Sequence, residues 1–166
     1  MNRSLKKDSP HQQPRFSITG PFFGKGAICE PILRSLPAWF GIEGAIIQYI
    51  AEIEHLPTFL TYESGDVMGF LSIKQHYPVS AEVFVMGIRE EAHRRGMGRA
   101  LLDQAQKWLK HQGVEYLQVK TLGPSRPDEN YAKTRAFYLA MGFKPLEEFP
   151  QIWEAGNPCL ILIKKL

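Results

Sequence analysis

The sequence predicts one α/β domain, in which about four helices cover both faces of a mixed sheet of about six to seven strands. The second half of the chain alternates strand-like and helix-like segments, as in βαβ units with parallel strands. Earlier, two strand-like segments are separated only by Ser64, Gly65 and Asp66, which predicts an antiparallel hairpin. The chain has 166 residues and is 44% hydrophobic, which is enough for one buried core.

The N-terminal third predicts an arm, a strand and two helices. Residues 1–14 are polar with almost no apolar side chains, so we expect a flexible arm there and a single domain over residues 15–166. A short strand is expected from Phe16. Residues 27–55 predict two helices separated at 37–41, because isoleucines recur at helical spacing in the second half of this stretch.

The rest of the chain predicts the alternation of strands and helices. Both parities of residues 81–90 carry β-branched and aromatic side chains, which is typical of a central strand buried on two faces. Gly113 and Gly142 stand where glycines end helices. The predicted order is strands at 57–63, 67–77 and 81–90, a helix at 98–111, a strand at 116–122, a helix at 131–141, and strands at 143–149 and 159–165.

Composition excludes several classes of protein. The net charge of +3 is too small to indicate nucleic-acid binding, and no stretch is apolar enough to span a membrane. Cys29 and Cys159 lack metal-ligand or disulfide-scaffold spacing, so we expect free thiols and no metal. The polar N-terminus lacks the apolar core of a secretory signal, which predicts a cytoplasmic protein.

The segment most suited to chemistry joins the strand at 81–90 to the next helix through a basic loop ending in Gly96-Met97-Gly98. A helix N-terminus presents unpaired N–H groups and a positive dipole end, which bind phosphate. Glycines allow a ligand to approach the backbone. Neither the P-loop pattern nor the dinucleotide pattern fits, since Leu101 replaces the third glycine of the latter. Gly-x-Gly alone is equally compatible with a surface turn that opens a helix.

The surrounding sequence resembles the GNAT superfamily of acetyl-CoA-dependent N-acetyltransferases. Residues 93–98 (HRRGMG) match the family's [Q/R]-x-x-G-x-[G/A] loop, and residues 136–143 (AFYLAMGF) match its second landmark, a helix running into Gly-Phe. The likeness extends over roughly residues 16–166 and implies a GNAT-like fold and an N-acetyltransferase. His93 and Tyr131 depart from the pattern, where the family most often has Gln or Arg and Asn, respectively.

The resemblance implies an acetyl-CoA site along the splayed edge of the strand at 82–88, beside this loop. The backbone N–H groups of residues 94–99 would hold the pyrophosphate, the pantetheine arm would pair near Met86 and Ile88, and the N–H of Ile88 would donate to the reacting carbonyl. Gly87 fits a bulge in that strand. The full set of implied cofactor-binding residues is Met86, Gly87, Ile88, His93, Arg94, Arg95, Gly96, Met97, Gly98, Arg99, Tyr131 and Phe137.

The implied reaction is direct attack by a primary amine, without an acyl-enzyme or a cysteine nucleophile. Tyr138 matches the family's acid, although a core aromatic is the alternative interpretation. Glu82, Glu52 and His76 are the candidate bases. Of these we favour Glu82, whose alternative interpretation is a solvated carboxylate at a strand end.

The acceptor is expected to be a small-molecule or peptide amine. The implied walls of its pocket are Trp39, Phe40, Tyr49 and Trp153, although aromatic residues are more often core. Two other functions remain open: a non-catalytic module that binds acetyl-CoA or CoA, and, less compatible with the charge, a nucleic-acid binder. Exposed sheet edges make a homodimer one expectation for the assembly.

Overall fold

The structure, a computed structural model, describes residues 16–166, so the predicted arm at 1–14 lies outside the described residues. Seven strands and four helices follow one another along them. The elements are β1 (Ser17–Phe22), α1 (Gly26–Arg34), α2 (Glu43–Ile53), β2 (Thr58–Glu63), β3 (Asp66–Tyr77), β4 (Ser80–Ile88), α3 (Met97–His111), β5 (Tyr116–Leu122), α4 (Glu129–Ala140), β6 (Lys144–Phe149) and β7 (Cys159–Lys165). The predicted fold class is confirmed.

Small differences between predicted and observed bounds have local causes. Helix α4 begins two residues before the predicted start, because the Asp128 side chain accepts a hydrogen bond from the Tyr131 N–H (2.9 Å) and caps the helix. Strand β4 ends at Ile88 because residues 90–92 form a single 3₁₀ turn. Gly142 follows α4 with φ of +88°, the left-handed conformation expected of a glycine at a helix end.

The sheet has the order β1-β2-β3-β4-β5-β7-β6, and only β4 and β5 are parallel neighbours. Helices α3 and α4 contribute Leu101, Leu109 and Tyr138 to the core on one face. Helices α1 and α2 contribute Ile32 and Ile53 to the core on the other face. Each face of the sheet is therefore covered by its own pair of helices.

Strands β4 and β5 separate part-way along their length. They pair only from Ser80 with Tyr116 to Val83 with Val119, although β4 continues to Ile88 and β5 to Leu122. The separation begins at a bulge at Phe84, since Ser72 of β3 pairs with Val85 but Ile73 pairs with Val83. The bulge expected at Gly87 is therefore wrong, because Gly87 pairs in regular register with Phe70. A bulge increases twist and bends its strand. We call the resulting space, between residues 84–88 and residues 120–122, the β4–β5 gap.

The backbone of β4 presents to this gap groups that β5 does not pair with. The Arg89 N–H donates to the Met68 carbonyl across β3 (2.9 Å). Backbone groups alternate in direction along a strand, so Val85 and Gly87 also point at β3, while Met86 and Ile88 point into the gap. The gap therefore has a hydrogen-bonding edge for an extended ligand.

We predict that Gly69→Ala destabilises the fold by about 1–3 kcal/mol, because extra volume in a close contact forces the backbone to shift. A Cβ at Gly69 would lie 2.9 Å from the carbonyl oxygen of Gly87, in the strand that borders the gap. The control is Gly44→Ala in α2, where a Cβ has nothing within 4 Å. Urea unfolding of both variants measures the effect. Equal stability of the two variants would contradict the close approach of β3 and β4.

Candidate active site

The basic loop and the start of α3 form the outer end of the gap. Gly96 precedes the helix with φ of +87°, and Arg94 also has a positive φ of +59°. Arg94, Arg95, Gly96 and Arg99 are exposed, and Arg95 forms an ion pair with Glu63 of β2. The loop therefore presents positive charge around the unpaired N–H groups of the first turn of α3.

Three of the predicted cofactor-binding residues meet at Gly98. A Cβ at this position would contact the Phe137 ring of α4 at 3.5 Å and Ile88 of β4 at 4.0 Å. The glycine thus lies where α3, α4 and the end of β4 converge. A Cβ here would be in van der Waals contact with both Phe137 and Ile88. A larger side chain at this position would therefore begin to fill the outer end, or mouth, of the gap.

His93 is directed at the end of β4. Its Nε2 lies 2.7 Å from the Ile88 carbonyl oxygen, and its ring packs edge-on against Trp39 with centroids 5.8 Å apart. This is an exposed part of the loop. His93 Nε2 is thus engaged with Ile88, and the implied role of His93 in cofactor binding stays a prediction.

Tyr138 is buried on the α3–α4 face of the sheet. Only 4% of its surface is exposed, and its ring packs between Phe137 and Phe143 with centroid distances of 5.1 and 5.4 Å. Burial raises the pKa of the Tyr138 hydroxyl well above its ordinary value, because the phenolate would lose solvation. The side chain is therefore a protonated donor at neutral pH. The structure shows that Tyr138 is a core aromatic. Its role as the acid stays a prediction, which this buried position does not contradict.

Glu82 is held by three donors rather than solvated, so the alternative interpretation as a solvated strand-end carboxylate is wrong. The residue is 4% exposed. Its Oε2 accepts from Lys120 Nζ (3.0 Å) and Gln118 Nε2 (3.2 Å), and His76 Nε2 lies 2.7 Å away. The structure thus brings two of the three candidate bases, Glu82 and His76, into direct contact. A carboxylate as buried as Glu82 requires such hydrogen-bonding and charged partners to offset its lost hydration.

The third candidate base lies on the same face but in a separate ion pair. Lys74 is the cross-strand partner of Glu82 in β3, so their side chains share a face. Lys74 Nζ lies 2.9 Å from the Glu52 carboxylate of α2 and stacks over the Phe84 ring at 5.0 Å. Sequence reasoning missed Lys74, Gln118 and Lys120. The alternation of side chains along β3 and β5 shows which residues share a face of the sheet. It does not show which of them lie next to Glu82, because that depends on how the strands are aligned with β4.

Three of the four predicted pocket aromatics gather on the α1–α2 face. Phe40 and Tyr49 pack edge-on at 5.8 Å, Tyr49 packs against Phe84 at 5.6 Å, and Trp39 belongs to the same hydrophobic cluster. Burial and the nearby Glu82 carboxylate raise the Tyr49 pKa. Trp153 lies in the β6–β7 connection, 37% exposed and outside the three hydrophobic clusters of the described residues, and its place in the pocket stays a prediction.

Tyr131 bonds to the α1–α2 connection. Its hydroxyl donates to the Trp39 carbonyl (2.9 Å), and the Trp39 indole Nε1 donates to Thr134 Oγ1 (3.0 Å). Burial is the largest cause that raises the Tyr131 pKa to about 12. Its predicted contact with the cofactor remains a prediction. Thr134 was not identified from the sequence, because only the tertiary fold brings it to Trp39.

The two cysteines are free, as predicted, and both are buried. Burial is the main cause that raises the pKa of Cys29 to about 12 and that of Cys159 to about 11. Thiols with such pKa values are almost entirely protonated at neutral pH, and the thiolate is the nucleophilic form. Neither cysteine has the electrostatic environment of an activated nucleophile.

Comparison with known proteins identifies the family to which this gap and loop belong. The family model described as the Acetyltransferase (GNAT) family matches residues 30–143, more than half of the chain. The chain belongs to the GNAT acetyltransferase family. The predicted membership and the predicted enzyme class, an acyltransferase, are confirmed, and the matched segment includes the loop, Glu82 and Tyr138.

Individual GNAT proteins agree with this assignment. An uncharacterised N-acetyltransferase of Chlorobaculum tepidum is 30% identical over 123 residues, which cover 70% of this chain and 72% of the relative. The ribosomal-protein-S18-alanine N-acetyltransferase of Escherichia coli has a similar fold (TM-score 0.72, 16% identity, 90% and 93% of the two chains). So does a GNAT acetyltransferase of Elizabethkingia anophelis solved with acetyl-CoA bound (TM-score 0.68, 18% identity, 93% and 100%).

None of the helices formed by residues 16–166 of this GNAT protein is long and apolar enough to cross a membrane.

We predict that Lys120→Met destabilises the GNAT domain by about 1–3 kcal/mol, because it removes a cation from the buried Glu82 carboxylate. The control is Lys74→Met, which breaks a more exposed pair (side chains 36% and 35% exposed, against 29% and 6%) and should cost less than about 1 kcal/mol. Urea unfolding at neutral pH compares them. In the Glu82→Leu/Lys120→Met double variant the loss should be smaller than the sum of the single losses. Additive losses would contradict the ion pair.

Proposed function

We propose that this protein moves the acetyl group of acetyl-CoA directly to a primary amine, with both substrates bound together and no acyl-enzyme. The observation that carries the proposal is the β4–β5 gap, which opens beside the N-terminus of α3 and has Glu82 and Tyr138 on its two sides. We place the reaction in the cytoplasm. The acceptor is a small-molecule or peptide amine. A protein amine is included because the similar Escherichia coli enzyme is named for a ribosomal-protein alanine.

The residues around the gap fit a CoA thioester. Exposed arginines surround the N–H groups at the start of α3, where pyrophosphate oxygens would be held. The absence of a side chain at Gly98 leaves space between Phe137 and Ile88. The Met86 and Ile88 backbone groups that face the gap would pair with the amides of the pantetheine arm.

The position of the loop helps to assign the group that stabilises the reacting carbonyl. Ile88 lies next to Gly98, at the pyrophosphate end of the gap, whereas Met86 lies deeper, nearer the point where β4 and β5 meet. An extended pantetheine arm carries its thioester away from the pyrophosphate. We therefore assign the donor to the N–H of Met86 in place of that of Ile88. A preorganised donor at the developing oxyanion is among the largest contributions to acyl transfer.

Bound acetyl-CoA supplies an activated acetyl thioester. Tyr138 would donate its hydroxyl hydrogen to the sulfur as it leaves. Because burial keeps the pKa of Tyr138 high, the hydroxyl would stabilise the thiolate mainly by a hydrogen bond rather than by full proton transfer. Its ring is fixed by Phe137 and Phe143, which fits a donor that must point in one direction.

Glu82 would accept the proton of the attacking amine, directly or through a water molecule. An alkyl ammonium must lose a proton before its nitrogen can attack, and a carboxylate at hydrogen-bond reach lowers that cost. Three donors fix Glu82 Oε2 in place. His76 is 32% exposed at its side chain and touches Glu82, so it offers a route for the proton to solvent.

We predict that Gly98→Val weakens acetyl-CoA binding at least about 100-fold, because its methyl groups would occupy the mouth of the gap. The matched control is Gly44→Val, which makes the same change at the second residue of α2, where a Cβ meets nothing within 4 Å. Isothermal titration of acetyl-CoA measures the affinity, and far-UV circular dichroism checks the fold. Unchanged affinity in Gly98→Val would refute the proposed cofactor site.

We predict that Tyr138→Phe lowers kcat about 100-fold and changes the acetyl-CoA dissociation constant by less than about twofold, as expected for a group that acts on the leaving thiolate. The assay uses the best acceptor from a panel of primary amines and peptides. The control is Tyr116→Phe, an exposed residue at the start of β5. A normal rate in Tyr138→Phe would remove Tyr138 from the mechanism. Tight acetyl-CoA binding with no transfer to any amine would instead favour the non-catalytic module.

A further inference from the structure

The α1–α2 connection, residues 35–42, is fixed to the opposite side of the domain through one residue. Trp39 donates its indole N–H to Thr134 Oγ1 (3.0 Å), and its carbonyl accepts from the Tyr131 hydroxyl (2.9 Å). Both partners lie on α4, which packs on the other face of the sheet from α1 and α2. Trp39 therefore links the two faces beside the β4–β5 gap.

The same side chain also touches His93 of the basic loop. The Trp39 ring meets His93 edge-on, with centroids 5.8 Å apart and planes at 79°. The same His93 ring also forms a hydrogen bond, in which its Nε2 lies 2.7 Å from the Ile88 carbonyl oxygen. That carbonyl faces the gap, so it is one of the groups that the proposed pantetheine binding uses. His93 and the pantetheine arm would compete for the same acceptor.

The ends of the connection are fixed independently of Trp39. Arg34 at the end of α1 donates two hydrogen bonds of 2.8 Å to the two carboxylate oxygens of Glu43 at the start of α2. Helices α1 and α2 also share a buried cluster with β2, β3 and β4. A change at Trp39 would therefore be confined to residues 35–42, which include the pocket residue Phe40 beside Tyr49.

We propose that Trp39 is a positioning residue through which cofactor binding sets the shape of the acceptor pocket. His93 leaves the Ile88 carbonyl when the pantetheine arm pairs with it, and Trp39 then loses its edge contact with His93. Residues 35–42, which include Phe40, then settle over Tyr49, held by the contacts of Trp39 with α4 alone. This inference rests on the proposed function, because it requires CoA in the gap. It predicts that the pocket is completed only after the cofactor binds.

The test follows Trp39 directly by fluorescence. The chain has three tryptophans, so a Trp108→Phe/Trp153→Phe variant leaves Trp39 as the sole indole. Acetyl-CoA is titrated into this variant, once by calorimetry and once by emission. We expect a saturable emission change whose dissociation constant agrees with the calorimetric one within about twofold. If the variant does not fold, the emission response of the wild type minus that of Trp39→Phe gives the same quantity.

The contribution of His93 is tested by adding His93→Gln to the same background. A glutamine amide still donates to the Ile88 carbonyl but has no ring to contact Trp39, so binding heat should persist while at least about two thirds of the emission change is lost. A full emission response in this variant would overturn the His93 connection. Abolished binding heat would mean that the ring itself holds the cofactor, and would overturn the displacement.

The two proposals fail in distinguishable ways. Binding heat without any emission change from Trp39 overturns the positioning role and leaves the acetyl-CoA site intact. No binding heat in either the wild type or the single-tryptophan variant overturns the proposed function and, with it, this inference.

Discussion

The separation of β4 from β5 after Val83 is the constraint on which the rest of the site depends. If β4 and β5 paired along their whole length, the Met86 and Ile88 backbone groups would be hydrogen-bonded to β5, and no extended ligand could bind to them. The bulge at Phe84 bends β4 at the first residue after its pairing with β5 ends. The loss of backbone hydrogen bonds is therefore confined to this end of β4. The remaining strand pairs keep the sheet continuous over seven strands, and the gap is therefore an opening in an otherwise rigid scaffold.

The paired part of β4 and β5, beside the gap, explains why a charged cluster is tolerated inside the domain. Where β4 and β5 still pair, their polar side chains on the α1–α2 face lie side by side, and Glu82 finds Gln118 and Lys120 on the neighbouring strand. An isolated carboxylate with 4% exposure would be expensive, whereas one with a lysine, an amide and an imidazole at 2.7 to 3.2 Å is compensated. The same contacts fix the orientation of the carboxylate, which a proton acceptor requires.

The sequence predicted those features that local pattern determines. Alternating periodicities gave the seven strands and four helices, and paired glycine motifs at residues 96–98 and 142 gave the family. It did not give the partners of Glu82, because they depend on the register of β4 with β3 and β5. It also did not give the Trp39 contact with Thr134, which joins residues 95 positions apart in the chain. Trp153 was grouped with the pocket because the resemblance implies that the C-terminal hairpin covers the thioester, and that role stays a prediction.

The placement of Glu82 and Tyr138 on opposite faces of one sheet follows from the chemistry that the proposed reaction needs. A sheet normally separates its two faces by a layer of paired backbone, so groups on different faces cannot act on one atom. The β4–β5 gap is where that layer is interrupted. In the proposed mechanism, a thioester held there would be open to the amine and Glu82 from the α1–α2 side, and to the Tyr138 hydroxyl from the α3–α4 side. The proton acceptor and the hydrogen-bond donor of that mechanism would thus stay apart, in a charged and an apolar environment respectively. Burial of Tyr138 raises the pKa of its hydroxyl, which keeps that group a hydrogen-bond donor.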